Sequence, residues 1–268
     1  MVNWRLGWRE MAALASCTGY AGIDLSREGG TGSDPQEVRA VFAEAGVRPV
    51  MSPLPVEYRK SKEEFDAGFA TMKVAAELAA RIGCTGMNTY LPSSTDWPKP
   101  EAWAILRDRL AACAEVLSGN GLRLAIEFLG PLHLRRKARH ELVYRMGDAL
   151  EFAQDCGHDA GLLLDSWHWH HSGGLAGDIL AAGAKAIVHV HVADSAPLAP
   201  EDVQDMERLM PGQGVVDFVA FFGALRAAGY AGGVSPEVFS SRMKELTPEE
   251  GARLGAIGAN EVMQCLKS

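Results

Sequence analysis

The sequence predicts an α/β fold, a (β/α)8 TIM barrel whose first strand is short or missing. Three observations carry that expectation. Seven short apolar β-type segments alternate with longer segments of helical spacing, no nucleotide-binding glycine motif follows the first of them, and the chain has 268 residues. Parallel strands need crossover connections, usually helices, so this alternation points to a parallel sheet. The segments are apolar throughout, as strands are when both sheet faces are covered. Neither G-x-G-x-x-G nor a Walker pattern is present, so a doubly wound nucleotide-binding sheet lacks its usual mark. An eightfold barrel typically takes about 250 residues, and residues 1–268 are expected to form a single barrel domain.

In chain order, NWRLG (3–7) is the candidate for the first strand and leads directly into the helix-like REMAALASCTGY. The strands that follow are YAGIDL (20–25), VRPVMSP (47–53), CTGMNTYLP (84–92), LRLAIEFLG (122–130), AGLLLDS (160–166), KAIVHVHVAD (185–194) and AGGVSPEVF (231–239). Between them, Phe65, Phe69, Met72, Ala76 and Ala79 make one helical stripe; Trp103, Leu106, Leu110, Cys113 and Leu117 make another. Helices are expected to stop at Gly46, Gly83, Gly119 with Gly121, Gly157, Gly183 and Gly229. Ser61 with Glu64 and Thr247 with Glu250 read as S/T-x-x-E capping boxes. Residues 131–145, PLHLRRKARHELVYR, form an insertion with Arg135, Arg136, Lys137 and Arg139. It is either a solvated basic loop or a lid over the barrel mouth.

Composition narrows the partners. Hydrophobic residues make up 47% of the chain and charged residues 22%, ordinary globular usage that can bury a core. The formal net charge of -8 disfavours nucleic acid, whose phosphates are held by excess Lys and Arg. No apolar run approaches the ~18 residues of a membrane span, and MVNWRLGWRE lacks the apolar core of a signal peptide. The cysteines at 17, 84, 113, 156 and 265 show no CxxC spacing. Scattered thiols of this kind suit a reducing, cytoplasmic compartment, where buried Cys act as small hydrophobes. A homo-oligomer is the default expectation for assembly.

In a parallel barrel, functional groups sit at the C-terminal ends of strands. Four consecutive predicted strands carry a metal-competent residue there: Glu127, Asp165, His191 and Glu237. Neighbouring strands lie about 4.8 Å apart, so four such ends can converge on one sector of the mouth. Burying three carboxylates together would cost about several kcal/mol per uncompensated charge. A divalent cation removes that penalty, and three oxygens with one imidazole suit Mn²⁺, Mg²⁺, Co²⁺ or Zn²⁺ without choosing among them. Each residue also has a plainer reading: either Glu as a loop anchor, and Asp165 as the cap of the next helix. By strand parity His189 shares the face of His191 but lies deeper, as a hydrogen-bonded core histidine. His168 stands where its imidazole can hydrogen-bond a substrate hydroxyl or carry a proton near neutral pH. His170 and His171 read as loop residues; Trp167 and Trp169 read as a platform for a sugar ring or as cover for a helix end.

The ordered set LAIEFLGP, GLLLDSWHWHHSGG, HVHVADS, RLMPGQGVVDF and GYAGGVSPEVF resembles the xylose isomerase-like TIM barrels of sugar isomerases and epimerases. The resemblance runs from about GYAGIDL to the C-terminus. It implies a single divalent metal ion held by Glu127, Asp165, His191 and Glu237, with His191 favoured over His189 because Asp194 follows three residues later. It also implies that Glu127 and Glu237 are the acid/base pair, that His168 contacts substrate, and that Arg208 binds a substrate oxygen. The stretch ADSAPLAP after His191 lacks the arginine that ketose 3-epimerases carry there, and LGPLHLRRK with WHWHHSGG looks closer to inosose-isomerase-like members. The implied activity is isomerisation or epimerisation of a keto sugar or cyclitol ketone, by proton transfer through a metal-bound enediolate. The same residues would serve a dehydratase or a keto-glycoside lyase. Two further readings are a non-catalytic binding subunit and endonuclease IV-like repair, the latter needing additional His and Asp ligands and a basic groove.

Overall fold

A computed structural model describes residues 6–26 and 34–264 of the chain. Strands form within all seven segments from 20–25 onward. They are β1 (Gly22–Ile23), β2 (Arg48–Pro49) continued past Val50 by β3 (Met51–Pro53), and β4 (Gly86–Tyr90). After the short β5 (Ser94–Thr95) come β6 (Arg123–Glu127), the short β7 (His140–Glu141), β8 (Gly161–Asp165), β9 (Ile187–Val192) and β10 (Val234–Pro236). Of the candidate first strand, residues 3–5 lie outside the described residues. Gly7 is the N-cap of the helix Trp8–Cys17, and neither Leu6 nor Gly7 joins a strand.

The strands β10-β9-β8-β6-β4-β3 form one sheet in that order, with parallel pairing throughout, and β1 pairs with β2 in parallel. Because β2 runs into β3, the seven segments curl as one wall with helices outside it. Among the described residues no ladder joins β10 to β1. Side chains span that gap instead: His189 Nε2 lies 3.0 Å from Asp24 Oδ2, and the Tyr20 hydroxyl donates to the Ala252 carbonyl at 2.9 Å.

The main hydrophobic core lies between strands and helices, and a separate cluster of Met51, Ala125 and Leu163 fills the inside of the curl. Strand side chains alternate with period two. Glu127 and Asp165 therefore follow Ala125 and Leu163 onto the inner face. The pairing of β8 with β9 slips once, from Leu162 opposite Ile187 to Leu163 opposite His189. Val188 is the extra residue of this irregularity. Without it Asp165 would stand opposite Val190; with it Asp165 pairs with His191. A bulge beside a site commonly re-aims a side chain in this way.

Local signals behave as read. Ser61 and Thr247 form complete capping boxes with Glu64 and Glu250. Gly83, Gly157 and Gly183 end helices with positive φ. The stripe at Phe65–Ala79 is divided between two helices, Lys62–Phe69 and Met72–Ile82; the break at Ala70–Thr71 is closed by the Thr71 hydroxyl donating to Gly68 O at 2.9 Å. Cys84, Cys113 and Cys156 are buried free thiols and Cys17 is exposed; Cys265 lies outside the described residues. Among the described residues no helix is long and apolar enough to cross a membrane.

The loop after β9 is built around one buried carboxylate. Asp194 accepts from the backbone N–H groups of Ser195 (2.8 Å), Gly212 (3.0 Å), Gly214 (2.7 Å) and Val216 (2.9 Å). It also bridges to Leu209, which holds the neighbouring Arg208 in place. A Cβ at Gly214 would collide with the Ser195 carbonyl, so only glycine lets the chain come this close. Replacing Asp194 with Ala leaves these donors without their acceptor and should lower stability by about 3 kcal/mol. Chemical denaturation measures this, and a loss below about 1 kcal/mol would refute the anchoring role.

Candidate metal centre

Glu127 ends β6, Asp165 ends β8, His191 lies on β9, and Glu237 follows β10. The Glu237 N–H donates to Val192 O at 3.0 Å, which carries the β10 pairing one residue past Pro236, and Glu237 lies on the same side of the strand as Ser235, which pairs with His191. One ligand atom from each of the four side chains lies within 4.8 Å of the others. His191 Nδ1 stands 3.6 Å from Glu237 Oε1. Glu127 Oε1 and His191 Nδ1 are buried and have no hydrogen-bond partner. Three carboxylates and one imidazole, two of whose ligand atoms have no other partner, fit a divalent cation.

Asp165 is both cap and cluster member. Its Oδ1 accepts from Trp167 N (2.6 Å) and His168 N (3.1 Å), capping the helix Ser166–His171, while Oδ2 turns to Arg208. Arg208 is buried between the rings of Trp167 and Phe239, 4.7 and 4.8 Å from their centroids. Its Nη1 donates to Asp165 Oδ2 at 3.1 Å and Glu237 Oε2 at 3.2 Å, and its Nη2 to Asp205 Oδ1 at 2.7 Å. Arg208 Nη2 also faces His168 Nε2 at 3.1 Å, while the Gly130 N–H donates to His168 Nδ1 at 3.3 Å. A Cβ on Gly130 would collide with the His168 carbonyl, so this approach also requires glycine.

Burial, then the charges of Glu237 and Asp165, pushes the Glu127 carboxyl well above the ordinary carboxylate range. Burial raises Asp165 as well, against the pull of Arg208. Burial also opposes ionisation of Glu237, but His191 and Arg208 outweigh it and hold that carboxyl well below its usual range. His191 is buried, which favours the neutral ring, yet Glu237 and Asp24 hold its pKa well above the ordinary value. His168 is driven well below by burial and then by Arg208. A neutral His168 is suited to hydrogen bonding rather than to carrying a proton.

The sequence matches the description "Xylose isomerase-like TIM barrel" over residues 12–257. The chain belongs to the xylose isomerase-like TIM barrel family. A xylose isomerase domain protein from Alicyclobacillus acidocaldarius subsp. acidocaldarius superposes with a TM-score of 0.88 at 29% identity, covering 97% of this chain and 94% of that one. The IOLI protein, solved with a bound zinc atom, shares the fold with a TM-score of 0.81 at 22% identity, covering 94% of this chain and 91% of that one. An inosose isomerase of Halalkalibacterium halodurans is 28% identical over 145 residues, 54% of this chain and 49% of that protein. An L-ribulose 3-epimerase of Mesorhizobium japonicum is 29% identical over 189 residues, 70% of this chain and 54% of that protein. The matched region spans about half the length of these curated relatives.

The structure of this xylose isomerase-like barrel bears on several alternatives left by the residues alone. Trp167 and Trp169 are both buried, the first under Arg208 and His171 and the second against Phe221, so neither offers a face to a sugar. Residues 131–145 are not a bare loop: they contain the helix Leu132–Arg135 and β7, which pairs antiparallel with β5. Arg135 pairs with Glu141 at 3.0 Å and stacks on Tyr144. His189 is hydrogen-bonded and buried, 3.0 Å from both Asp24 Oδ2 and Ser235 Oγ. Asp24 is the residue that sequence reading missed. It stands just past β1, at the C-terminal end of YAGIDL, so the strand-end rule that selected the other acids applies to it too. A cavity of about 410 Å³ lined by Asp24, His191, Glu237, Asn88, Ser235 and Met210 reaches the His191 and Glu237 side of the cluster.

The raised pKa values of Glu127 and His191 mean that both groups must give up protons when a cation takes their ligand atoms. Affinity for Mn²⁺ or Zn²⁺ should therefore rise with pH. Calorimetry in buffers of different ionisation enthalpy should show net proton release; pH-independent binding without release would contradict these shifts.

Proposed function

We propose that the chain is a divalent-metal-dependent isomerase or epimerase of a keto sugar or cyclitol ketone, working by proton transfer beside a carbonyl. The observation that carries this reading is the convergence of Glu127, Asp165, His191 and Glu237 within 4.8 Å beside an open cavity. The likeness to an inosose isomerase and an L-ribulose 3-epimerase supports the substrate class. A bound divalent ion would supply Lewis acidity, stabilising negative charge on the substrate oxygen.

The chain's own residues divide the remaining work. Glu237, kept ionised by His191 and Arg208, is the group prepared to take the proton α to the carbonyl. Glu127 sits on β6, with β8 and β9 between it and β10. It approaches the bound substrate from another side and, through a carboxyl oxygen reprotonated from solvent, returns a proton at the adjacent carbon or on the opposite face, while Glu237 releases the proton it took to solvent. Removing the α-proton leaves an electron pair shared between carbon and oxygen as an enediolate, and reprotonation completes the exchange. Arg208 and His168, linked to each other and to the carboxylates, supply hydrogen-bond donors for substrate oxygens once that network opens to a ligand.

Glu237→Gln and Glu127→Gln should each slow exchange of the substrate α-proton with solvent deuterium by about 100-fold or more. Mass spectrometry of recovered substrate reads this, and full exchange in either variant removes that glutamate as an essential base. Proton NMR of products from a panel of inososes, ketoses and 3-keto-glycosides tests the reaction class. An isomer or epimer is expected; an unsaturated product or a released glycone would instead identify β-elimination by a dehydratase or lyase.

A further inference from the structure

We propose that Asp24 is a positioning residue for the metal centre: it holds the His191 ring so that Nε2 carries the proton and Nδ1 is presented to the cation. This rests on the metal-dependent reading above and extends it to a residue outside the four ligands.

The two edges of the His191 ring face different carboxylates. Nε2 lies 3.3 Å from Asp24 Oδ2, and Nδ1 lies 3.6 Å from Glu237 Oε1 on the cluster side. Nδ1 is buried and has no hydrogen-bond partner, so the ring edge facing the ligands is the one left without a bond. A neutral imidazole has one N–H and one lone pair. If Asp24 receives the proton-bearing edge, the lone pair falls on Nδ1. Without Asp24 the opposite tautomer gains an advantage, because Nδ1–H could then donate to Glu237 and its lone pair would turn away from the cluster. A carboxylate behind a metal-ligating histidine commonly fixes tautomer and orientation in this way.

Asp24 is itself braced for that task. The same Oδ2 lies 3.0 Å from His189 Nε2, which also lies 3.0 Å from Ser235 Oγ on β10. The His189 and His191 rings meet edge to face, 5.3 Å apart at 85°. Asp24 therefore links β1 to β9, with Ser235 tying in β10, across the interval where no ladder joins β10 to β1 among the described residues. Asp24, His189 and His191 also bring their own ligand atoms within 4.8 Å of one another. A second cation there is the rival reading, and it makes a different prediction for stoichiometry.

Long-range ¹H–¹⁵N NMR of the Zn²⁺-loaded wild-type protein tests the tautomer with no mutation. The His191 Nε2 should bear the proton and Nδ1 should carry the metal-induced shift; zinc on Nε2 overturns the proposal. Zn²⁺ affinity by chelator competition provides the second measurement. Asp24→Asn should weaken it by about 10- to 100-fold, whereas His189→Asn, which disturbs the same packing but spares the Asp24–His191 contact, should stay within about threefold of wild type. Wild-type affinity in Asp24→Asn, an equal loss in His189→Asn, or two ions per chain with one lost in Asp24→Asn would each overturn it. Should Asp24→Asn fail to fold, the wild-type NMR result decides alone. A wild-type protein that binds no Zn²⁺, Mn²⁺, Mg²⁺ or Co²⁺ would instead remove the metal-dependent reading itself.

Discussion

The constraint on which the structure depends is electrostatic: three carboxyl groups share one small, water-poor volume at the strand ends. Isolated buried charges are costly, and like charges at this spacing cannot all ionise without compensation. The protein answers with His191 inside the cluster and Arg208 against it, the latter touching both Asp165 and Glu237. Its consequences are asymmetric. For Glu127, burial and the charges of Glu237 and Asp165 outweigh His191 and Arg208 and push it toward the neutral form, while Glu237, in contact with both cations, is held as the carboxylate. Two chemically identical residues acquire different protonation preferences from position alone, which is a common route to an acid/base pair.

Much of the surrounding architecture serves to hold the compensating groups still. Arg208 has no strand of its own. It depends on the stacking rings of Trp167 and Phe239 and on the loop that Asp194 pins through four backbone N–H groups. His168 is fixed between Gly130 and Arg208, which links the β6 loop to the helix after β8. Around Arg208 the site is thus a polar network in which Asp165, Glu237 and His168 share partners, and such networks tolerate the loss of a member poorly because the remaining groups stay buried.

The aromatic and basic residues show how far chemistry-bearing sequence can be from function. WHWHH begins two residues after the metal-competent Asp165, yet both tryptophans are packing residues. The arginine in the neighbouring insertion that approaches an acid most closely, Arg135, pairs with Glu141 in its own segment. Asp24 is the reverse case. It sits in an unremarked strand, far in sequence from the cluster, and its partners are residues 165 and 167 positions away.

The sequence by itself determined what depends on near neighbours: strand and helix alternation, capping boxes, helix-ending glycines, the strand-end positions of Glu127 and Asp165, and the shared face of His189 and His191. These follow from periodicities of two and about 3.6 residues, which a chain carries locally. Tertiary structure decided what depends on register between distant segments. The slip at Val188 sets Asp165 opposite His191, Asp24 crosses to the histidines of β9, and Arg208 reaches back to two carboxylates on different strands. No local pattern encodes those meetings, because a one-residue shift in pairing reverses which face a side chain occupies.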